Sequence, residues 1–261
     1  MKIVYIGIDI LYEALPALAA AGCEISEIVT CRTDNKTEFN LKVCDFAKRN
    51  QIPLFMGKIT SENITGWKKA GVHAVICCGY YYRIPVDEEL PMVNIHPSLL
   101  PIGRGAWPMP VAILKGMSES GITIHKITKD FDEGDILMQT AIPLIEDETL
   151  QTLTDRLKLL LPAMMTELTA NFKQLYLEAY PQGEGEFWPC LEETDYPVTS
   201  DMDVQAADRI LRAFYGYECI YQKDGECYGV TEGRAHSCAY GEKCEMPVRG
   251  GTIIAKRVRR L

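Results

Sequence analysis

The sequence predicts a mostly parallel, Rossmann-like α/β sheet with helices on both faces, followed by a small β-rich module, and three observations carry that prediction. Through the first half, short apolar runs alternate with helical patterns, the rhythm of a parallel sheet with crossover helices. Leu150, Leu153, Leu157, Leu160, Met164, Leu168 and Phe172 then recur every three or four residues, the signature of one long amphipathic helix lying on the sheet. After the linker-like Pro181-Gln182-Gly183-Glu184-Gly185-Glu186 the pattern changes to short strands and tight turns. The expected division is a domain over residues 1–180 and a helix-plus-β, OB-like module over residues 181–261.

Taken in order, residues 3–8 read as a buried strand and 11–20 as a helix closed by Gly22. Residues 25–30 and 53–56 are the next strands, separated by a helix over 41–50. A polar helix over 61–70 leads to strands at 72–78 and 92–96. Residues 107–115 read as a helix, and 121–128 and 135–144 as strands flanking a turn at Asp132. In the second module Asp203 is placed to cap a helix carrying Val204, Ala207, Leu211 and Phe214 on one face. Lys223-Asp224-Gly225 and Arg249-Gly250-Gly251 are hairpin signals around about four short strands. The first turn, Gly7-Ile8-Asp9-Ile10, lacks the Gly-x-Gly-x-x-Gly pattern, which disfavours a nicotinamide or flavin cofactor.

Composition narrows the class further. A 261-residue chain with 47% hydrophobic residues can bury a large core. No apolar run approaches the roughly 20 residues of a spanning helix, and Met1 to Gly7 reads as a strand rather than a leader, so no membrane association and a cytoplasmic location are expected. The net charge of −9 argues against a broad nucleic-acid surface. Lys256-Arg257-Val258-Arg259-Arg260 reads instead as a charged edge strand. Ten cysteines are scattered without a Cys-x-x-Cys pair. The spacing of Cys227, His236, Cys238 and Cys244 matches no standard zinc site, so no metal is expected.

The chemistry concentrates in two segments. Asn94-Ile95-His96-Pro97-Ser98-Leu99-Leu100-Pro101 ends an apolar run, and Phe131-Asp132-Glu133-Gly134-Asp135 follows some thirty residues on. An amide NH₂ can hold the oxygen of a tetrahedral intermediate, an imidazole can handle an amine proton, and a carboxylate can orient or charge the imidazole. Either segment alone is a turn. Together they are the kit for moving an acyl group between nitrogens. Ser98 lacks a nucleophile elbow, so its hydroxyl reads as structural or water-positioning on the substrate side. Arg104, in a Gly-rich loop between Pro101 and Pro108, is a candidate to meet an anionic acceptor.

These segments, with Arg104-Gly105 and Gly121-Ile122-Thr123-Ile124-His125 between them, resemble the folate-dependent formyltransferases over about residues 1–180. That family includes glycinamide ribonucleotide, methionyl-tRNA and amino-sugar enzymes. The resemblance implies 10-formyltetrahydrofolate as co-substrate and a primary amine as acceptor. It implies that Asn94 donates to the oxyanion, that a protonated His96 assists, and that Asp132 fixes the imidazolium. It further implies a cis Leu100-Pro101 bond, and a pterin held by Tyr82, Arg83 and Ile84 on one side and Thr128, Lys129, Asp130 and Phe131 on the other.

Three acceptor classes compete. Relatives acting on methionyl-tRNA carry a basic loop after the second strand, whereas residues 31–38 here are short and nearly neutral. Relatives acting on glycinamide ribonucleotide hold phosphate on a small-residue turn after the first strand, where this chain has Asp9. The amino-sugar enzymes look closest, through Thr33-Asp34-Asn35 and Tyr81-Tyr82-Arg83. The Arg-Arg pair that sugar and tRNA relatives tend to carry at the start of the second domain is replaced by Phe187-Trp188-Pro189-Cys190-Leu191. The expectation is a nucleotide-linked amino sugar, with methionyl-tRNA as the alternative and a catalytically inactive folate-binding relative as the second. A homodimer is left open.

Overall fold

Both alternating sets of side chains on the first strand, Ile3 with Tyr5 and Val4 with Ile6, are fully buried, so the sheet built on it is covered on both faces. In a computed structural model, which describes residues 1–34, 39–238 and 246–261, the strands of this sheet are β1 (Lys2–Gly7), β2 (Glu24–Thr30), β3 (Leu54–Met56), β4 (Ala74–Cys78) and β5 (Met92–His96). A short β6 (Ile102–Arg104) stands apart, and β7 (Glu119–Lys126) and β8 (Ile136–Pro143) complete the set. The order is β3-β2-β1-β4-β5-β7-β8. The pairs among β1 to β5 are parallel, as expected from the alternation. β7, however, runs antiparallel to β5.

The helices are α1 (Ala14–Ala20), α2 (Leu41–Arg49), α3 (Ser61–Lys69), α4 (Pro108–Leu114), α5 (Leu150–Lys158), α6 (Leu161–Leu177) and α7 (Val204–Ala213). Two differ from the sequence expectation, and proline is the reason in both. Proline is tolerated only in a first helical turn, so Pro16 forces α1 to begin at Ala14, and Asp9–Leu11 form a separate 3-10 turn. Pro162 likewise divides the expected long helix. The amides of Leu159 and Leu160 bond the carbonyls of Arg156 and Leu157, tightening the end of α5, and α6 starts with Pro162 in its first turn. The buried seam accordingly uses Leu161, not the half-buried Leu160.

The chain divides into two compact units. Met1–Gly105, Gly121–Ile142 and Thr154–Phe187 form the first, and Ala106–Ser120, Pro143–Leu153 and Trp188–Leu261 the second. In the first, Val4, Ile6, Val29, Val75, Cys77 and Met92 pack with Ile64 and Trp67 of α3 in one core cluster. At the carboxyl ends of β1 and β4, the switch point of doubly wound folds, the turns that follow the two strands pack closely. A Cβ added at Gly79 would lie 3.1 Å from Ile8 and 3.3 Å from Ile10. The Asp9 carboxylate accepts from the amides of Lys42 and Val43 at 2.9 and 3.0 Å, filling the N-terminus of α2.

The second unit carries β10 (Val198–Thr199), β11 (Glu218–Lys223), β12 (Glu226–Ser237), β13 (Pro247–Val248) and β14 (Gly251–Arg260), in the order β10-β11-β12-β14-β13. Both hairpins fall at the expected turns. Lys223 pairs with Glu226, and Asp224 and Gly225 both take positive φ, the two-residue turn that matches strand twist. Val248 pairs with Gly251 around Gly250 at φ 84°. Two strands are long rather than short, and β12 bends at Glu232 (φ 53°), beyond which it leaves β11 and follows β14 alone. Among the described residues no helix is long and apolar enough to cross a membrane. Asp203 caps α7 as expected, its side chain accepting from the Gln205 amide at 2.9 Å. Asp203→Ala should cost about 0.5–2 kcal/mol, read as a lower urea midpoint with an unchanged slope.

Candidate active site

The carboxyl end of β5 presents Asn94 and His96 on one face of the strand, two residues apart. Antiparallel pairing sets His125 of β7 opposite Asn94 and Thr123 opposite His96. Four polar side chains therefore share one patch of sheet. His96, Thr123 and His125 are all at least 95% buried.

Asp132 comes to this patch from the loop between β7 and β8. Its Oδ1 lies 3.7 Å from His96 Nδ1 and 3.4 Å from His125 Nε2, and it accepts from Asn94 Nδ2 at 3.3 Å. Its Oδ2 accepts from the Gly105 amide at 3.0 Å. The two segments singled out in the sequence thus meet. The loop is built for this by two residues. Asp132 itself takes the left-handed conformation (φ 56°), which Asp tolerates better than most side chains. Gly134 serves close approach: a Cβ there would lie 1.9 Å from the Lys126 carbonyl oxygen.

Hydrogen bonds fix the tautomers. His96 Nε2 lies 2.8 Å from the Gly103 carbonyl, so it must carry the proton, and Nδ1 presents its lone pair towards Asp132. His125 Nδ1 donates to the Lys126 carbonyl at 2.8 Å, leaving Nε2 to accept from Asn94 Nδ2 at 3.2 Å. Burial pushes the His96 pKa down, more than the nearby Asp132 charge raises it. That direction favours the uncharged ring at rest, whereas the resemblance implies a protonated one. Burial also pushes the Asp132 carboxyl up, but His96, His125 and the Gly105 amide outweigh it and hold the group well below the ordinary carboxylate range.

Ser98 and Arg104 face inward. The Ser98 hydroxyl is buried and turned to the carbonyls of Ile102 and Gly103, 2.9 and 3.1 Å away. It holds the loop that holds His96, rather than presenting a free hydroxyl to a substrate. Arg104 donates from Nε to Gln182 Oε1 at 3.1 Å and from a terminal nitrogen to the Gly183 carbonyl at 3.0 Å. Its guanidinium is engaged with the segment read as a linker rather than held out for an anion. The Leu100-Pro101 bond is cis. Thr123 Oγ1 bonds the Ser98 carbonyl and the Leu100 amide, and Gln139 donates to both Thr123 and the Leu100 carbonyl.

The two segments expected to hold a pterin also meet. The Arg83 guanidinium stacks over the Phe131 ring at 4.5 Å and donates to the Lys129 carbonyl at 3.3 Å. Tyr82 packs edge-on against Tyr80 at 5.4 Å, and Ile84 is half-buried beside the core. Thr128 closes the second segment by donating to the Asp130 carbonyl. Phe131, Tyr81 and Tyr82 stay 52%, 47% and 38% exposed.

His125, quoted only within the resembling motif, and Gln182, within the apparent linker, had no role assigned from the sequence. His125 required knowing that β7 is antiparallel, and Gln182 sat in an apparent linker. Residues 35–38 and Cys244, which entered the acceptor and zinc arguments, lie outside the described residues. Among the described residues no group of three or more His, Cys, Asp or Glu is arranged to hold a metal.

The chain belongs to the formyl transferase family: the family model of that description matches residues 33–169. A methionyl-tRNA formyltransferase of Nitrosospira multiformis is 31% identical over 228 residues, covering 82% of this chain and 73% of that protein. One from Ehrlichia ruminantium is 37% identical over 152 residues, 57% of this chain, and the match spans only half of that relative's length. Among solved structures, the N-formyltransferase of Helicobacter canadensis in complex with folinic acid and dTDP-3-aminofucose superposes with a TM-score of 0.73. That likeness covers all of both chains at 16% identity, and it shows the fold.

The buried neutral His96 has a consequence for stability. Its folded pKa lies below the unfolded value of about 6.5, so on acidification the unfolded chain takes up the proton first and stability falls. The loss runs from about pH 6.5 down to the folded pKa. Asp132 acts in a separate window: its depressed pKa gives stability that is present above about pH 4 and lost only as pH falls further. Urea unfolding between about pH 4 and 6.5 should show wild-type stability rising with pH and a flatter dependence for His96→Gln.

Proposed function

We propose that this protein transfers the formyl group of 10-formyltetrahydrofolate to a primary amine, and that Asn94, His96 and Asp132 do the chemistry. The observation that carries the reading is the convergence of a carboxylate, an imidazole and a carboxamide at one strand end. The acceptor nitrogen attacks the formyl carbon, forming the new C–N bond. The carbonyl oxygen becomes an oxyanion, and Asn94 turns one NH₂ proton towards it in place of its 3.2 Å contact with His125. The amine proton passes to His96 Nδ1, the ring nitrogen with a free lone pair. The imidazolium so formed lies beside Asp132. Collapse breaks the bond from the formyl carbon to the folate nitrogen, which takes the proton from His96 as it leaves.

The folate reading rests on family membership, and the residues fit it. Exposed Tyr81, Tyr82 and Phe131 offer flat apolar surface of the kind that a ligand covers. Backbone groups of residues 82–84 and 128–131 supply donors and acceptors, and Arg83 ties the two segments together. The Helicobacter canadensis relative was solved with folinic acid, itself a formylated folate.

For the acceptor, a nucleotide-linked amino sugar is the favoured reading. The four cations of the C-terminal strand are paired within their own unit: Lys256 and Arg257 with Glu232, Arg259 with Glu218, and Arg260 with Glu226. Exposed pairs of this kind add little stability, but three glutamates against four cations weaken the field that a phosphate backbone would need. The sugar-bound relative matches this chain end to end. Methionyl-tRNA stands as the second reading because relatives with that name share the higher identities.

The test is formyl transfer from 10-formyltetrahydrofolate, with methionyl-tRNA in one arm and a panel of UDP- and dTDP-linked amino sugars in the other. Transfer to a sugar is expected. Asn94→Ala should lower turnover by a hundredfold or more, as loss of one oxyanion donor does, and His96→Ala by about 10²–10⁴-fold, with folding unchanged. Near-wild-type turnover in either variant would refute its role, and transfer to tRNA alone would replace the sugar reading with the second one.

A further inference from the structure

Gln182 lies in the segment whose glycines, proline and acids read as a linker. Every polar atom of its side-chain amide is used. Nε2 donates to the carbonyls of Asp132 and Gly134 at 2.8 and 2.7 Å, and Oε1 accepts from Arg104 Nε at 3.1 Å. Those partners belong to the two loops that build the site. On one side is the loop that holds Asp132 at φ 56°. On the other is β6 with the residues around it, where the Gly103 carbonyl fixes the His96 tautomer and the Gly105 amide holds Asp132 Oδ2. The backbone reinforces the same junction. Glu186 donates to the Pro101 carbonyl at 3.0 Å, and β9 (Glu186–Phe187) pairs with β6. A Cβ at Gly185 would lie 2.3 Å from the Pro101 carbonyl oxygen, so the strand can approach only as glycine there.

We infer that Gln182 is a positioning residue that clamps the Asp132 loop to the His96 loop and so sets the carboxylate–imidazole geometry. The inference rests on the catalytic reading of those two groups given above. Without the clamp, Asp132 keeps its Gly105 and Asn94 contacts, but its backbone carbonyl and that of Gly134 lose the donors that pin the left-handed turn. The carboxylate then samples positions displaced from His96 Nδ1. Displacements of about 1 Å can cost on the order of a hundredfold in rate. Binding of folate should be spared, because Arg83 joins the pterin segments without Gln182.

Two variants separate clamping from simple packing. Gln182→Ala removes both donors and the acceptor. Gln182→Glu keeps the size and the Arg104 partner but sets carboxylate oxygens against two carbonyls. Clamping predicts that kcat falls at least about tenfold in both, no less in the glutamate variant, with KM for 10-formyltetrahydrofolate unchanged. It also predicts that Arg104→Ala combined with Gln182→Ala is less than additive in kcat, as for members of one network. The ¹⁵N ring resonances of His96 should move in both variants, while those of the remote His73, bonded to the Lys2 amide, stay fixed. That readout needs no acceptor. If wild-type protein formylates nothing, the catalytic reading fails, yet the ring shifts still report whether the clamp exists. Unmoved His96 resonances, or a glutamate variant with wild-type kcat, would overturn the inference.

Discussion

A buried carboxylate that stays ionised is the constraint around which the first unit is organised. Asp132 is 11% exposed at its side chain, and such a charge is tolerated only where donors surround it. The Asn94 carboxamide and the Gly105 amide supply them, and the His125 ring lies beside the carboxylate at 3.4 Å. Each comes from a different part of the chain, so the charge can be held only when β5, β7 and the loop after β6 are all in register. The left-handed backbone at Asp132 and the absence of a Cβ at Gly134 bring the carboxylate into that ring of donors. The same ring leaves one face of the carboxylate turned to His96, 3.7 Å away. A buried imidazole that rests neutral can then take a proton and be compensated at once.

Much of this was legible in the sequence, and what was hidden has a common cause. Alternating apolar runs located β1 to β5 because buried parallel strands read as continuous hydrophobic stretches. The β5 strand and the Asp203 cap stand where local pattern placed them. Asp224-Gly225 gave its hairpin because only a few residue pairs tolerate two positive φ angles. The three residues expected to do chemistry converge, since motif order carried that information. His125 was not legible, because its role depends on β7 lying antiparallel beside β5, a fact about pairing rather than periodicity. Gln182 was hidden for the same reason: its partners are 48 to 78 residues away in sequence. Pro162 was visible, and weighing its missing N–H above the heptad-like leucine spacing would have split α5 from α6.

Chemistry and acceptor choice are written in different places. Asn94, His96 and Asp132, the groups proposed to react, sit on a strand end and a tight loop held by several hydrogen bonds, the rigid support that precise positioning needs. Several charged groups and one helix end are answered here from within the chain. Asp9 fills the N-terminus of α2, Arg104 is spent on Gln182 and Gly183, and the basic C-terminal strand is neutralised by glutamates of its own unit. These contacts weaken the pull of those groups on a long polyanion, which is the basis on which a small acceptor is proposed.

The most direct test of this account removes the charge of Asp132 and leaves its shape. Asp132→Asn keeps a side chain that can still accept from the Gly105 amide, but it cannot compensate an imidazolium. In a single-turnover reaction with 10-formyltetrahydrofolate and an acceptor amine identified beforehand, the chemical step should slow by a hundredfold or more, with folate binding unchanged. A variant that transfers the formyl group at the wild-type rate would show that the buried carboxylate is structural, and the account would fall.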